Sequence, residues 1–191
     1  MNRKCVLDWL AVHVTKPRVN HILRVEKMAV NLARIHNLDQ VKAGQAGLLH
    51  DLAKYFKTTR LLSMAREEQL NLDPIVEGNP HLLHGPVGAI VAREQFQVQD
   101  LEVLDAIANH TLGAPGMSPL SCIVFLADGT EPGRGEHPKL KEIRTVSQQN
   151  LHRAVTLLCD RKLRRLLKNN QLVHPQMVLT RNWALQQSPN K

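Results

Sequence analysis

Pro17-Arg18-Val19-Asn20-His21-Ile22-Leu23-Arg24-Val25-Glu26-Lys27-Met28-Ala29-Val30-Asn31-Leu32-Ala33-Arg34-Ile35-His36 carries the period that decides the fold class. Val25, Met28, Ala29, Leu32, Ala33 and His36 fall at i, i+3, i+4, i+7, i+8 and i+11, one stripe of an amphipathic helix, and Pro17 is tolerated in its first turn. Asn37-Leu38-Asp39 then offers a break and a new N-cap. The same reading predicts further helices over about 40–55, 58–69, 85–96, 101–109, 118–127, 147–169 and 175–186. Segments 71–80 and 129–138, rich in Pro, Gly and charge, read as loops. No stretch alternates with period two and no repeat is present, so the expected fold class is all-α, a helical bundle.

The 191 residues suit one domain, and no Gly/Ser-rich or Pro-rich linker divides them. The expected organisation is a single domain over 1–191, with a core over about 17–170 and a helical tail over 171–191. Cys5, Cys122 and Cys159 are far apart and fit no Cys-x-x-Cys spacing, which points to a reducing, cytoplasmic setting. No signal-peptide core and no run of 18 uncharged apolar residues is found, so a soluble protein without a membrane partner is expected. The net charge of +8 favours an anionic partner, either a phosphate ligand or nucleic acid. Arg153, Arg161, Lys162, Arg164, Arg165 and Lys168 alternate with Leu157, Leu158, Leu163, Leu166 and Leu167, the pattern of a solvated face on a core helix. A phosphate-attracting or RNA-binding surface is the alternative, and an aromatic content of 3% weighs against nucleic acid as the main partner.

Chemistry enters at Ala46-Gly47-Leu48-Leu49-His50-Asp51, with His21 upstream and His84, His110 and Asp128 downstream. Imidazole and carboxylate together are the ligands that hold iron, manganese or zinc while leaving positions open for water and phosphate. With ten histidines in the chain, an adjacent His-Asp pair alone is weak, since about 0.4 arise by chance from composition. Neighbours on a helix point about 100° apart, so His50 and Asp51 can meet one ion only where their helix gives out. Lys54, three residues on from Asp51, is placed to meet a metal-bound phosphate. His84 precedes Gly85-Pro86 at a helix start, His110 closes a helix beside Thr111, and Asp128 ends the apolar run from Ile123 to Ala127. Taken singly, each histidine reads as a surface or hydrogen-bonded core residue, Asp128 as a loop cap, and Lys54 and Arg134 as surface cations. Their joint placement at helix ends beside Gly, Pro or small residues favours a site. His81 ranks below His84, and His13, His36, His137, His152 and His174 have no such context.

The strings Arg18-Val19-Asn20-His21, Leu49-His50-Asp51-Leu52-Ala53-Lys54, His84-Gly85-Pro86-Val87-Gly88-Ala89, His110-Thr111-Leu112-Gly113 and Ala127-Asp128-Gly129-Thr130-Glu131-Pro132-Gly133-Arg134 resemble, in order, the YqeK-type symmetrical diadenosine tetraphosphate hydrolases of the HD-domain phosphohydrolase superfamily. The resemblance runs from Arg18 to the Asn182-Trp183 pair. It implies an HD fold, iron (one or two ions, with manganese or another divalent metal as alternatives), and cleavage of a dinucleoside polyphosphate substrate to ADP by a metal-bound water at a central phosphate. It further implies His21, His50, Asp51 and Asp128 as metal ligands, and His84 and His110 at a second metal or at the phosphates. Lys54, Thr111, Arg134 and Arg18 become polyphosphate contacts, with Asp51 and Lys54 catalytic and Asp51 the bridge if two ions are bound. Members of that group often carry an aromatic or large residue where this chain has Gly129, which implies looser base preference if that residue stacks on adenine. Another HD-type nucleotide phosphohydrolase, such as a nucleotidase or guanosine-tetraphosphate hydrolase, is the nearest alternative. A non-catalytic RNA- or ribosome-binding helical module is the more distant one, and an oligomer is compatible with either.

Overall fold

Asp39 accepts hydrogen bonds from the amides of Val41 and Lys42, 2.7 and 3.0 Å away, and so starts a helix where the stripe of the preceding one gives out. The same device recurs along the chain, with Asn2, Asp73, Asp100, Ser118 and Asn150 each capping a helix through the side chain. In the computed structural model, which describes residues 2–188, the helices are α1 (Arg3–His13), α2 (Lys16–Ile35), α3 (Gln40–Leu49), α4 (Thr58–Glu67), α5 (Pro74–Gly78), α6 (His84–Phe96), α7 (Leu101–Asn109), α8 (Pro119–Thr130), α9 (Pro138–Ser147), α10 (Leu151–Lys168) and α11 (Pro175–Gln186). Two 3-10 turns, Pro80–Leu83 and Pro132–Arg134, complete the regular structure, and no strand occurs among the described residues. The fold is all-α.

Helix α8 is the hub. Leu120 to Ala127 are buried on every side, as expected of a helix apolar all round, and α2, α3, α7 and α10 pack around it. Gly47 lets α3 close on α2, because a Cβ there would lie 2.9 Å from Glu26 Cα. Phe125, Ile22, Leu48, Leu49, Ile107 and Ile123 are among the fully buried side chains, each contributing about 1.5–3 kcal/mol relative to exposure. The core also takes in Val6 and Leu10 of α1 and Met177 and Ala184 of α11, so it extends past 17–170 at both ends.

Several boundaries differ from those the periodicity predicts. Helix α3 stops at Leu49 rather than near Tyr55, because the His50 ring Nδ1 bonds to the Gly47 carbonyl at 2.8 Å, the acceptor that the Asp51 amide would need. The chain then tightens into i to i−3 bonds, from Leu52 to Leu49 and from Lys54 to Asp51. Helix α8 runs on to Thr130, which puts Asp128 in its last turn. The segment 71–80 holds α5, capped by Asp73, and not only loop. Ahead of the expected helix over 147–169 lies a separate α9, with Leu140, Ile143 and Ser147 turned inward, and Asn150 starts α10 afresh. Helix α1 had no counterpart in the sequence reading.

Candidate metal centre

Five elements meet at one point. His21 comes from α2, His50 and Asp51 from the turn after α3, His84 from the first residue of α6, His110 from just beyond α7, and Asp128 from α8. His21, His50, Asp51, His84 and His110 are all buried. Gly85 makes the α6–α7 approach possible, since a Cβ there would fall 2.6 Å from the Ala108 carbonyl oxygen.

Asp51 stands between two half-sites. Its Oδ2 lies 3.7 Å from His21 Nε2 and 3.4 Å from His50 Nε2, and its Oδ1 lies 3.6 Å from His84 Nε2 and 3.8 Å from His110 Nε2. Asp128 Oδ1 joins the first half-site at 3.2 Å from His21 Nε2 and 3.9 Å from His50 Nε2. Ligands about 2.1 Å from one ion lie about 3.0–3.5 Å from one another, so these separations fit a metal with slight contraction. His21-His50-Asp51 and Asp51-His84-His110 are both groups able to hold an ion.

Hydrogen bonds fix which nitrogen faces inward. His50 donates from Nδ1 to the Gly47 carbonyl, His84 to the His81 carbonyl, and His110 to the Ile107 carbonyl, each three residues back. His21 Nδ1 lies 3.0 Å from Glu131 Oε1. Every Nε2 therefore presents a lone pair to the site when the ring is neutral. Among the described residues, His21 Nε2 and His50 Nε2 are buried without a hydrogen bond, a costly state that a bound cation would relieve. The Nε2 atoms of His84 and His110 face each other at 3.1 Å, two lone pairs that need a donor or cation beside them. Thr111 Oγ1, 3.2 Å from His84 Nε2, and Lys54 Nζ, 3.3 Å from it, stand ready in that role.

The electrostatics agree. Burial pushes the Asp51 carboxyl upward, but the charge and hydrogen bond of His50 lead the effects that outweigh it and hold the group well below the usual range. Asp128 is likewise held well down against its burial, by His21, His50 and Arg134. Burial, with Lys54 beside it, pushes His84 down to about 4, and burial with the neighbouring imidazoles pushes His110 well down. Carboxylates ionised and these two imidazoles neutral are the states metal ligands require. His50 alone is drawn upward: burial opposes its charge, but Asp51 and Asp128 outweigh it, so two carboxylates here call for a positive neighbour.

Around this floor opens a cavity of about 460 Å³ whose lining includes Arg18, Lys54, Thr111 and Arg134. Two of these cations are turned onto the carboxylates: Arg18 bonds Asp51 Oδ2 at 2.8 Å, and Arg134 bonds Asp128 through both its side-chain and main-chain oxygens. Sequence reasoning gave no role to Glu131, which is buried and accepts from His21, Arg24 and the Gly133 amide. It also left open Arg161, Lys162 and Arg165, which line the cavity from α10. The remaining histidines lie elsewhere: His81 is exposed, His36 bonds the Ser147 carbonyl, and His174 bonds Asp73.

Residues 18–133 match the HD domain family, and the chain belongs to it. Over 185 residues it is 36% identical to the symmetrical bis(5'-nucleosyl)-tetraphosphatase of Halalkalibacterium halodurans, covering 97% of this chain and 98% of that one. The protein of the same name from Bacillus subtilis is 34% identical over the same shares. A solved structure from Clostridium acetobutylicum, a predicted HD superfamily hydrolase involved in NAD metabolism, superposes with a TM-score of 0.94 at 31% identity, covering 98% of this chain and 99% of that one.

Proposed function

We propose that this chain is a metal-dependent hydrolase that splits diadenosine tetraphosphate at its middle bridge into two ADP. Relatives of that name that match over nearly the full length of both chains carry the reading, together with the buried His/Asp cluster. His21, His50, Asp51 and Asp128 would hold one divalent cation; His84 and His110 would hold a second together with Asp51, or meet the phosphates themselves. Iron fits this mixed imidazole and carboxylate set, as does manganese. When bound, such an ion supplies a Lewis acid and lowers the pKa of water toward about 7.

The protein's own groups do the rest. Asp51, facing both half-sites, orients the ligands and the attacking water between them. The Lys54 ammonium and Thr111 hydroxyl, both against His84, take the non-bridging oxygens of the phosphate under attack. Arg18 and Arg134 keep Asp51 and Asp128 in place and border the path of the phosphate chain. Water oxygen bonds to one central phosphorus and releases a proton to the solvent of the open cavity, the bond from that phosphorus to the middle bridging oxygen breaks with its electron pair going to that oxygen, and ADP is left on each side. No helix among the described residues is long and apolar enough to cross a membrane, and the reduced cysteines fit a cytoplasmic enzyme. Incubation with diadenosine tetraphosphate should release ADP as the sole nucleotide; AMP plus ATP would refute symmetric cleavage.

A further inference from the structure

Six cations were concentrated in one late stretch of sequence, and the fold divides them. Leu158, Arg161, Lys162, Arg165 and Leu166, at i, i+3, i+4, i+7 and i+8, form the face of α10 that lines the cavity above the metal centre. Arg164 is absent from that cavity and lines a separate hollow with His137 and Glu142, whose wall Arg161 shares. Helix α10 is brought close by Gly129, next to Asp128: a Cβ at that position would lie 2.5 Å from Leu158 Cδ2. Lys162 Nζ is set by the Thr111 carbonyl at 3.3 Å and lies 4.1 Å from the centre of the Phe125 ring. The Thr111 hydroxyl in turn touches His84 and His110, so this ammonium adjoins the reacting end of the cavity.

The charges of the cavity are not balanced within the protein. Arg18 and Arg134 are each held by a carboxylate, whereas among the described residues Arg161 and Arg165 have no acceptor for their guanidinium groups. A dinucleoside tetraphosphate carries one negative charge on each of four phosphates. Lys54 and Thr111 serve the side of the metal centre near His84, which leaves the diphosphate beyond the scissile bridge to find cations elsewhere. The α10 face is where the cavity offers them.

We infer that Arg161, Lys162 and Arg165 form the binding site for the departing nucleoside diphosphate half of the substrate. The inference rests on the proposed function and adds to it the means by which two phosphates are counted on the far side of the bridge. Arg161→Gln/Arg165→Gln should raise KM for diadenosine tetraphosphate about tenfold, with kcat within about threefold of the parent. Metal content and melting temperature should not move. Arg164→Gln, which removes a charge from the same helix but not from the cavity wall, should behave as the parent. A double variant with unchanged KM, or an equal KM rise in Arg164→Gln, overturns the inference. Parent protein that fails to yield ADP alone overturns the functional reading itself, a result separable from all of these.

Discussion

The His50 ring acts on both of its edges. Its Nδ1 takes the Gly47 carbonyl and ends α3, and its Nε2 is left buried and bare toward Asp51 and Asp128. Asp51→Ala removes the carboxylate common to both half-sites and should abolish turnover and metal content while circular dichroism stays helical. Glu131→Gln keeps the shape but loses the charge that orients His21 and is itself held low, against its burial, by Arg24 and His21. Metal affinity should fall by about 10–100-fold, read by titration with a chelator competitor. His50, Asp51, His84, His110 and Asp128 could be picked from the sequence because each falls at or just past a helix end, whereas His21, the sixth residue of α2, carries no such local mark. Glu131 could not, because its partner His21 lies 110 residues away and nothing local marks a carboxylate after Gly-Thr as the support of a distant imidazole.

Helices were legible where a start signal is strong, as in α2 and α11, which carry Pro17 and Pro175 in the first turn, and in α7, which Asp100 caps; their ends fall at or within a residue or two of the expected ones. They were misjudged where a side chain competes for the backbone. The extension of α3 failed because nothing in its periodicity shows that the His50 ring takes the next acceptor. Helix α9 was obscured by the charged Gly/Pro stretch before it, and α10 showed alternating leucines and cations without showing which cations turn inward. Removing the α3 cap with Asp39→Ala should cost about 1 kcal/mol in urea unfolding. Phe125→Ala, at the centre of α8, should cost about 3–5 kcal/mol and also loosen Lys162, which rests against that ring. Gly85→Ala should separate α6 from α7 at the Ala108 carbonyl and lower metal occupancy more than it lowers helicity.

At the scale of the whole molecule, the all-α class followed from period alone, but the way five elements converge did not. Convergence depends on packing around α8, a buried helix whose neighbours are set by shape rather than by a pattern readable in any one segment. A cation held by side chains from α2, the α3 turn, α6, α7 and α8 would tie together elements that the unfolded chain leaves apart. A ligand at a hundred times its Kd stabilises by about 2.7 kcal/mol. At about 2–4 °C per kcal/mol for a domain of this size, stripping the metal should lower Tm by roughly 5–10 °C, and restoring it should reverse the change. The most direct test is elemental analysis of protein purified without added ions, run beside Asp51→Ala and His50→Ala. One or two equivalents of iron or manganese in the parent and next to none in the variants is the predicted result; parent protein that hydrolyses diadenosine tetraphosphate at full rate while metal-free and indifferent to chelator would contradict it.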